Sequence, residues 1–192
     1  MVSPRWGVFT ALEANRRDLR GTPTQSLSSE GYRAHGGVNL GLTRLISGEF
    51  GIGYAEQRFD DPTIENIVGP TYRALLVWSP TRLVDVTLKA ERTVTQAADT
   101  DATGIRVDKV QLGVDYEFLR NVVISAAGTY ERDRFFGQVR EDTVHVILTQ
   151  VKYLLNQHWS VSLRHRYTDR DSSQPLFTYD KHEVELNVSA RF

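Results

Sequence analysis

Residues 183–192 read EVELNVSARF, and this closing stretch decides the fold. Every second residue is apolar, so Val184, Leu186 and the terminal Phe192 share one face of a strand while Glu183 and Glu185 share the other. Such a strand offers one face that suits hydrocarbon and one that suits water. The stretch therefore predicts a strand that lies between lipid and a polar interior.

The length and composition predict one folded domain that spans residues 1–192. Nothing in it is typical of a disordered, collagen-like or disulfide-stapled chain. The formal net charge is -1 with both signs interspersed, so the chain lacks the basic field that nucleic-acid binders use to collect phosphates. The absence of cysteine removes thiolate nucleophiles and zinc–thiolate sites. We expect no nucleic-acid partner.

The apolar runs are too short for a membrane helix. The densest, at 74–78 and 122–124, fall far below the roughly 20 apolar residues that a helical span needs. The short apolar runs do not exclude membrane-crossing strands, because the lipid face of such a strand uses only alternate residues. Residues 1–6 lack a basic region followed by an apolar core, so either a signal peptide has been removed or the chain is the C-terminal part of a longer protein.

Period-two alternation recurs along nearly the whole chain and predicts strands. It is clearest over 32–42, 72–78, 84–90, 110–118, 122–130 and 159–163, and weaker near 4–16, 48–59, 141–154 and 178–192. The pattern predicts about ten strands of roughly 10–14 residues, against about 5–6 in a globular protein and about 9–11 for a tilted membrane-crossing strand. The length alone favours a transmembrane barrel.

The predicted connections alternate in length. Short ones fall around 43–47, 79–82, 119–121 and 155–158, and longer polar ones around 17–29, 60–67, 96–104, 133–140 and 169–178. Transmembrane barrels combine short periplasmic turns with longer external loops. The asymmetry therefore predicts that both ends of the chain lie on the periplasmic side.

Aromatic residues fall near the ends of the predicted strands, on the same face as the aliphatic residues. This distribution predicts an aromatic belt at each membrane interface, whereas the alternative, a soluble β-sandwich, would not favour strand ends. The predicted belt residues are Tyr32, Phe50, Tyr72, Trp78, Tyr116, Phe118, Tyr130, Tyr153, Trp159, Tyr167 and Phe192.

For two of the predicted strands, the sequence pattern does not decide which face points outward. Residues 143–153 are apolar on both parities, which indicates either a bulge or close packing inside the barrel. The first strand has the same ambiguity through Trp6, Val8 and Phe9. The register of neither strand follows from the pattern.

The face opposite the aliphatic residues carries charge of both signs. The predicted lumen-lining residues are Arg33, His35, Asn39, Glu49, Gln57, Arg73, Asp85, Lys89, Glu91, Asp115, Glu117, Glu131, Lys152, Arg164, Arg166, Glu183 and Glu185. They suit a hydrated conduit for polar solutes or a ladder of cross-strand ion pairs filling a narrow barrel. A chain that closes on itself favours the ladder, and a larger barrel favours the conduit.

The sequence offers no catalytic or metal-binding pattern, and we predict no cofactor. The five histidines lie on different predicted strands or turns without metal-ligand spacing, and no nucleophile elbow or phosphate loop is present. Glu91-Arg92 and Glu131-Arg132 favour solvated rim charge over paired acid and base. The acidic outer loops, including Asp133 and Asp142, favour solvated carboxylates, and Phe135-Phe136 suits contact with a partner or a lipid headgroup.

The closing strand and the two belts resemble those of Gram-negative outer-membrane β-barrels. More narrowly, the repeated hairpins that open on TRL at 43–45 and 81–83 and contain LKAER at 88–92 and GTYER at 128–132 resemble the putative beta-barrel porin type 2 family. Some members of that family accompany genes for exopolysaccharide synthesis and export. Its members are commonly longer, so the chain resembles a C-terminal portion of a larger barrel or a minimal relative.

We therefore expect an all-β, antiparallel up-and-down transmembrane β-barrel of about ten strands in a Gram-negative outer membrane. By resemblance it acts as a porin-like channel, or as an accessory barrel for the export of polysaccharide or other polar solutes, and not as an enzyme. The expected partners are membrane lipid and lipopolysaccharide, the barrel-assembly machinery through the C-terminal strand, and the transported solute. The alternatives are an outer-membrane enzyme with a site at the extracellular rim and a soluble β-barrel binding module.

Overall fold

The computed structural model describes residues 5–18, 28–61, 66–95 and 104–191. They form a single antiparallel sheet in which the ten strands follow one another in chain order. The strands are β1 (Arg5–Arg17), β2 (Ser29–Gly41), β3 (Ile46–Phe59), β4 (Ile67–Trp78), β5 (Val84–Thr95), β6 (Gly104–Leu119), β7 (Val122–Phe136), β8 (Glu141–Leu154), β9 (Trp159–Ser172) and β10 (Tyr179–Ala190), with a short 3-10 helix at Pro175–Phe177. The predicted all-β, up-and-down architecture is confirmed.

Each strand pairs with its sequence neighbours, and the sheet is open between its first and last strands. Among the described residues β1 pairs only with β2 and β10 only with β9, so each carries one unpaired edge. No helix in the described part of the chain is long and apolar enough to span a membrane.

The pairing register divides the side chains between two faces. The outward face, which includes Phe50, Leu88 and Leu112, is apolar, and the inward face, which includes Glu49, Lys89 and Gln111, is polar. The inward face is concave, since Phe9 and Glu13 of β1 line the same groove of about 280 Å³ as Glu91 and Thr93 of β5. Leu112 is 52% exposed, so the apolar face is not a buried core. This arrangement is the reverse of that in a soluble barrel with an apolar interior.

The facing of β8 follows from its uninterrupted register with both neighbours. Ile147 and Val151 lie on the outward face, whereas Val144, Val146 and Leu148 lie on the inward face. Val144 is 8% exposed and Ile147 is 56% exposed. Of the two alternatives for this strand, close internal packing therefore applies rather than a bulge. The register shift that the structure does contain lies at Glu117/Leu119 in β6.

The facing of β1 is set by one aromatic side chain. Trp6, Val8 and Leu12 are highly exposed on the outward face. Phe9 points the other way and covers two glycines, since a Cβ atom at Gly37 would lie 2.7 Å from its ring and one at Gly51 would lie 3.4 Å from it. The absence of side chains at these glycines makes room for the ring and for the curvature of the sheet.

Two of the predicted long connections are wrong. Residues 133–136 continue β7, and residues 169–172 continue β9, so the β7–β8 connection is only Gly137–Arg140. Gly137 has a φ of 79°, which a glycine adopts without strain, and the Phe135 amide donates to the Arg140 carbonyl oxygen at 3.2 Å. Alternation of hydrophobic residues stops before these strand ends, but backbone pairing does not.

The facing of β6 can be tested with a charge at position 112. Leu112→Arg should impair insertion into lipid vesicles, because a cation at the midplane of the lipid-facing surface costs roughly 2–4 kcal/mol. Gln111→Arg, one residue away on the inward face, is the matched control and should insert normally. Heat-modifiable electrophoretic mobility reports folded barrel in both variants. Equal insertion of the two variants would contradict the assigned faces.

Candidate functional site

All seventeen residues predicted to line a lumen lie on the inward face by register. β2 and β3 supply Arg33, His35, Asn39, Glu49 and Gln57; β4 and β5 supply Arg73, Asp85, Lys89 and Glu91; β6 and β7 supply Asp115, Glu117 and Glu131; and β8 to β10 supply Lys152, Arg164, Arg166, Glu183 and Glu185. That this face encloses a lumen stays a prediction.

The inward face carries ion pairs between neighbouring strands. They are Arg33–Glu13 at 3.3 Å, Arg73–Glu49 at 3.3 Å, Lys109–Glu131 at 3.1 Å and Arg164–Glu185 at 3.3 Å. The side chains are hydrated; Arg73, for example, is 68% exposed. Exposed pairs of this kind stabilise a fold by about 0–1 kcal/mol each, so they mainly fix side-chain positions. Sequence reasoning missed Glu13, because the register of β1 was open, and it missed Lys109.

Two aspartates oppose each other near the short-turn end of the inward face. Asp85 of β5 lies directly opposite Asp115 of β6, with Glu117 two residues further along the same face. The hydroxyl of Ser79 donates to Asp85 at 2.5 Å, and the hydroxyl of Ser125 donates to Asp115 at 2.5 Å. Like charges in opposite positions repel. Together these carboxylates give this end of the inward face a local negative potential.

A buried ion cluster joins the outer ends of β7, β8 and β9. Arg140 donates to Asp142 at 2.7 Å, and Arg170 contacts Asp142 at 3.0 Å and Asp133 at 3.2 Å. The Ser172 hydroxyl donates to Asp142 at 2.5 Å. Asp142 is 0% exposed and Asp133 is 4% exposed. The prediction of solvated loop carboxylates is therefore wrong for these two residues, because pairing with arginine allows them to be buried.

Aromatic rings enclose the cluster. The Arg140 guanidinium carbon lies 4.3 Å from the centre of the Phe135 ring and 3.5 Å from that of Phe177, distances at which cation–π attraction is strong. Phe136 packs against the apolar group that includes Ile67 and Val94. Both phenylalanines are partly buried by these contacts, and contact of the pair with a partner or a lipid headgroup stays a prediction.

The two carboxyl groups of the cluster differ in pKa. Asp133 follows Tyr130 on β7, and Asp142 precedes His145, the pairing partner of Tyr130, on β8. Both carboxyl groups therefore lie outside the part of the sheet predicted to span the membrane. Burial, with the neighbouring charge of Glu131, raises the pKa of Asp133 to about 6 despite the opposing effect of Arg170. Burial also acts to raise the pKa of Asp142, but hydrogen bonds from Arg140 and Ser172 outweigh it and hold that pKa below its usual value.

Two of the five histidines lie together on the outward face. His165 and His182 stack on the outward face with Nε2 and Nδ1 3.2 Å apart, and Tyr167 lies against His182. Their rings contact each other across β9 and β10. Within residues 5–18, 28–61, 66–95 and 104–191, no group of three or more potential ligand side chains could hold a metal ion.

Ten of the eleven predicted belt aromatics lie on the outward face. They are Tyr32, Phe50, Tyr72, Trp78, Tyr116, Phe118, Tyr130, Tyr153, Trp159 and Tyr167, whereas Phe192 lies outside the described residues. Trp6 and Tyr54 share that face and were missed by the sequence analysis. Contact of these rings with a membrane interface stays a prediction.

The two-faced, up-and-down sheet has a counterpart among known protein families. The family described as "Putative beta-barrel porin 2" matches residues 1–192. The chain belongs to this family. A search of the curated proteins finds no match. Membership confirms the resemblance found in the sequence, and it supports a membrane-embedded, porin-like and non-enzymatic barrel.

The buried carboxyl of Asp133 should make stability depend on pH. Its folded pKa of about 6 exceeds the ordinary value of 3.8, so its contribution is fully present below about pH 4 and is lost as the pH rises through 6. We expect the free energy of unfolding to fall by on the order of 2–3 kcal/mol between pH 4.5 and pH 8. Urea-induced unfolding in detergent micelles measures the change.

Asp133→Asn should remove most of that pH dependence, because the amide matches the shape of the carboxyl group but does not ionise. Asp171→Asn, which changes an exposed carboxylate on β9, should leave the dependence as in the wild type. An unaltered pH profile in Asp133→Asn would show that other groups cause it.

Proposed function

We propose that the chain acts in the outer membrane of a Gram-negative bacterium as a porin-like conduit for polar solutes, polysaccharide among them. The observation that carries the proposal is the separation of an aliphatic outward face from an inward face that is polar on most strands. Exposed aliphatic side chains cover the outward face, and hydrated ion pairs cover the inward face. Lipid solvates the first kind of surface, and a water-filled passage suits the second.

The transport mechanism is passive. Paired charges keep the inward face wet and supply hydrogen-bond donors and acceptors to neutral solutes such as carbohydrates. The ladder of ion pairs and the conduit are compatible, because side chains held in pairs against the wall leave the space beside them open. Asp85 and Asp115 add a local preference for cations near the short-turn end.

The outer-membrane location rests on the outward face and the family. The outward aromatics cluster toward strand ends, as in an interfacial belt, and the outward face of β10 continues the aliphatic pattern through Leu186 and Val188. The alternating C-terminal strand supports recognition by the barrel-assembly machinery. An enzymatic role is not proposed, because the stacked His165–His182 pair lies on the outward face.

Conductance in planar lipid bilayers tests the proposal. The refolded full chain should produce discrete current steps, since each inserted barrel opens one water-filled path. Heat-denatured chain provides the control for leakage caused by aggregates. Correctly folded, inserted protein that conducts at no voltage would overturn the channel role.

The aspartate pair should set ion selectivity. Asp85→Asn together with Asp115→Asn removes two like charges from the inward face, so the reversal potential in a salt gradient should shift toward lower cation preference. Asp169→Asn together with Asp180→Asn removes the same charge from the outward face and should not shift it. Equal shifts in both variants would mean that the current does not pass along the inward face.

A further inference from the structure

Four arginines form a basic patch on the outward face, beyond the outer aromatic residues. The arginine patch consists of Arg92 on β5, Arg106 on β6, and Arg132 and Arg134 on β7. Register places Arg92, Asp108 and Arg132 in one row across the sheet, level with Tyr72, and Arg106 and Arg134 in the next row outward. By alternation along β5, β6 and β7, these four side chains have the parity of the outward face.

The patch carries more positive charge than its neighbours neutralise. Asp108 accepts two hydrogen bonds from Arg92, at 2.5 and 3.0 Å, and a third from the Tyr72 hydroxyl at 3.3 Å. Glu141 contacts both Arg132 and Arg134. These two carboxylates serve four guanidinium groups, so the patch has an excess of two positive charges. The prediction of solvated rim charge is wrong for Arg92, which is partly buried by these contacts.

The outer row of the patch brings two like charges together. Arg106 lies directly opposite Arg134, an arrangement of like charges that is unfavourable without a counter-ion. The Nε atoms of both side chains make no hydrogen bond among the described residues, and each lies at ion-pair distance from one carboxylate, Asp108 at 3.8 Å from Arg106 and Glu141 at 3.5 Å from Arg134. The neighbouring Arg132, followed by burial and Arg106, lowers the pKa of Arg134. Such a site gains from an added anion.

Two other arginines on the outer rim, Arg16 and Arg58, are balanced by carboxylates. Arg16 on β1 is paired with Asp18 and Glu30, and Arg58 on β3 is paired with Glu56. Hydrogen bonding to these carboxylates raises the pKa of both arginines. These two described arginines are therefore balanced by carboxylates, unlike the arginine patch on β5, β6 and β7.

We propose that the arginine patch binds a phosphate group of lipopolysaccharide, through its phosphorylated, multiply acylated lipid A. The inference rests on the proposed outer-membrane location. Arginine matches phosphate with bidentate, charge-assisted hydrogen bonds, and basic clusters beside a membrane span bind lipid headgroups. A phosphate between Arg106 and Arg134 would offset their repulsion.

The surface next to the patch favours an acylated ligand over free phosphate. Below Asp108 on the same face of β6 lie Val110, Leu112 and Val114, all exposed. This apolar stripe runs inward from the patch toward the middle of the predicted span. A lipid whose phosphate binds the arginines can therefore lay its acyl chains along the stripe, which an inorganic ion cannot do.

Binding of purified bis-phosphorylated lipid A to the refolded full chain in detergent tests the proposal. Native mass spectrometry measures retention of the lipid, and circular dichroism confirms that each variant is folded. Arg106→Gln with Arg134→Gln should weaken retention at least tenfold, because hydrogen bonds between charged groups are lost. Arg16→Gln with Arg58→Gln, the matched control at the balanced part of the rim, should stay within about twofold of the wild type.

Three results would overturn the inference: equal retention by both double variants, equal binding of dephosphorylated lipid A, or equal patch-dependent binding of phosphatidylglycerol, which would assign the site to glycerophospholipid instead. Arg106→Lys with Arg134→Lys retains the charges without the bidentate geometry and should bind with intermediate affinity. Because binding is measured in detergent, it is independent of conductance. A chain that binds lipid A but never conducts would therefore contradict the conduit and not the lipid site.

Discussion

The structure depends on one constraint, which is that backbone N–H and C=O groups in hydrocarbon must find partners within the protein. Antiparallel pairing of each strand with its sequence neighbours meets this requirement across the interior of the sheet. Pairing also fixes the parity of every side chain, because successive residues in a strand point to opposite faces. The lipid-compatible surface and the polar inward face are therefore two results of one hydrogen-bonding pattern.

The sequence pattern predicts the faces where the environment differs sharply on the two sides of a strand, as for Leu112 and Gln111. It fails at Val144 and Phe9, since an apolar residue on the polar side breaks the alternation without changing the register. The ends of β7 and β9 were missed for another reason. Arg170 of β9 pairs with Asp133 of β7 and Asp142 of β8, so these strands continue through charged residues that resemble those of a loop.

The residues of the inward face could be predicted from the alternation of each strand alone. The residues that they contact could not. Which residues touch depends on register between strands, and register requires the turn geometry that composition does not specify. Arg92 and Arg132 were noticed at the rim, yet the carboxylates they contact, Asp108 and Glu141, come from neighbouring strands. The arginine patch became visible only when Arg106 was found opposite Arg134. Local sequence thus identified the faces, and long-range pairing identified the sites.

The neighbour-to-neighbour meander has a consequence for how the chain folds. Because every observed pairing joins strands linked by a single connection, sheet formation can spread from hairpin to hairpin with little loop entropy lost at each step. Turns as tight as that at Arg120–Asn121 are natural starting points for such zippering. Pairing of the edges of β1 and β10 would bring together distant parts of the chain, so its loop-closure cost would exceed that of any single hairpin.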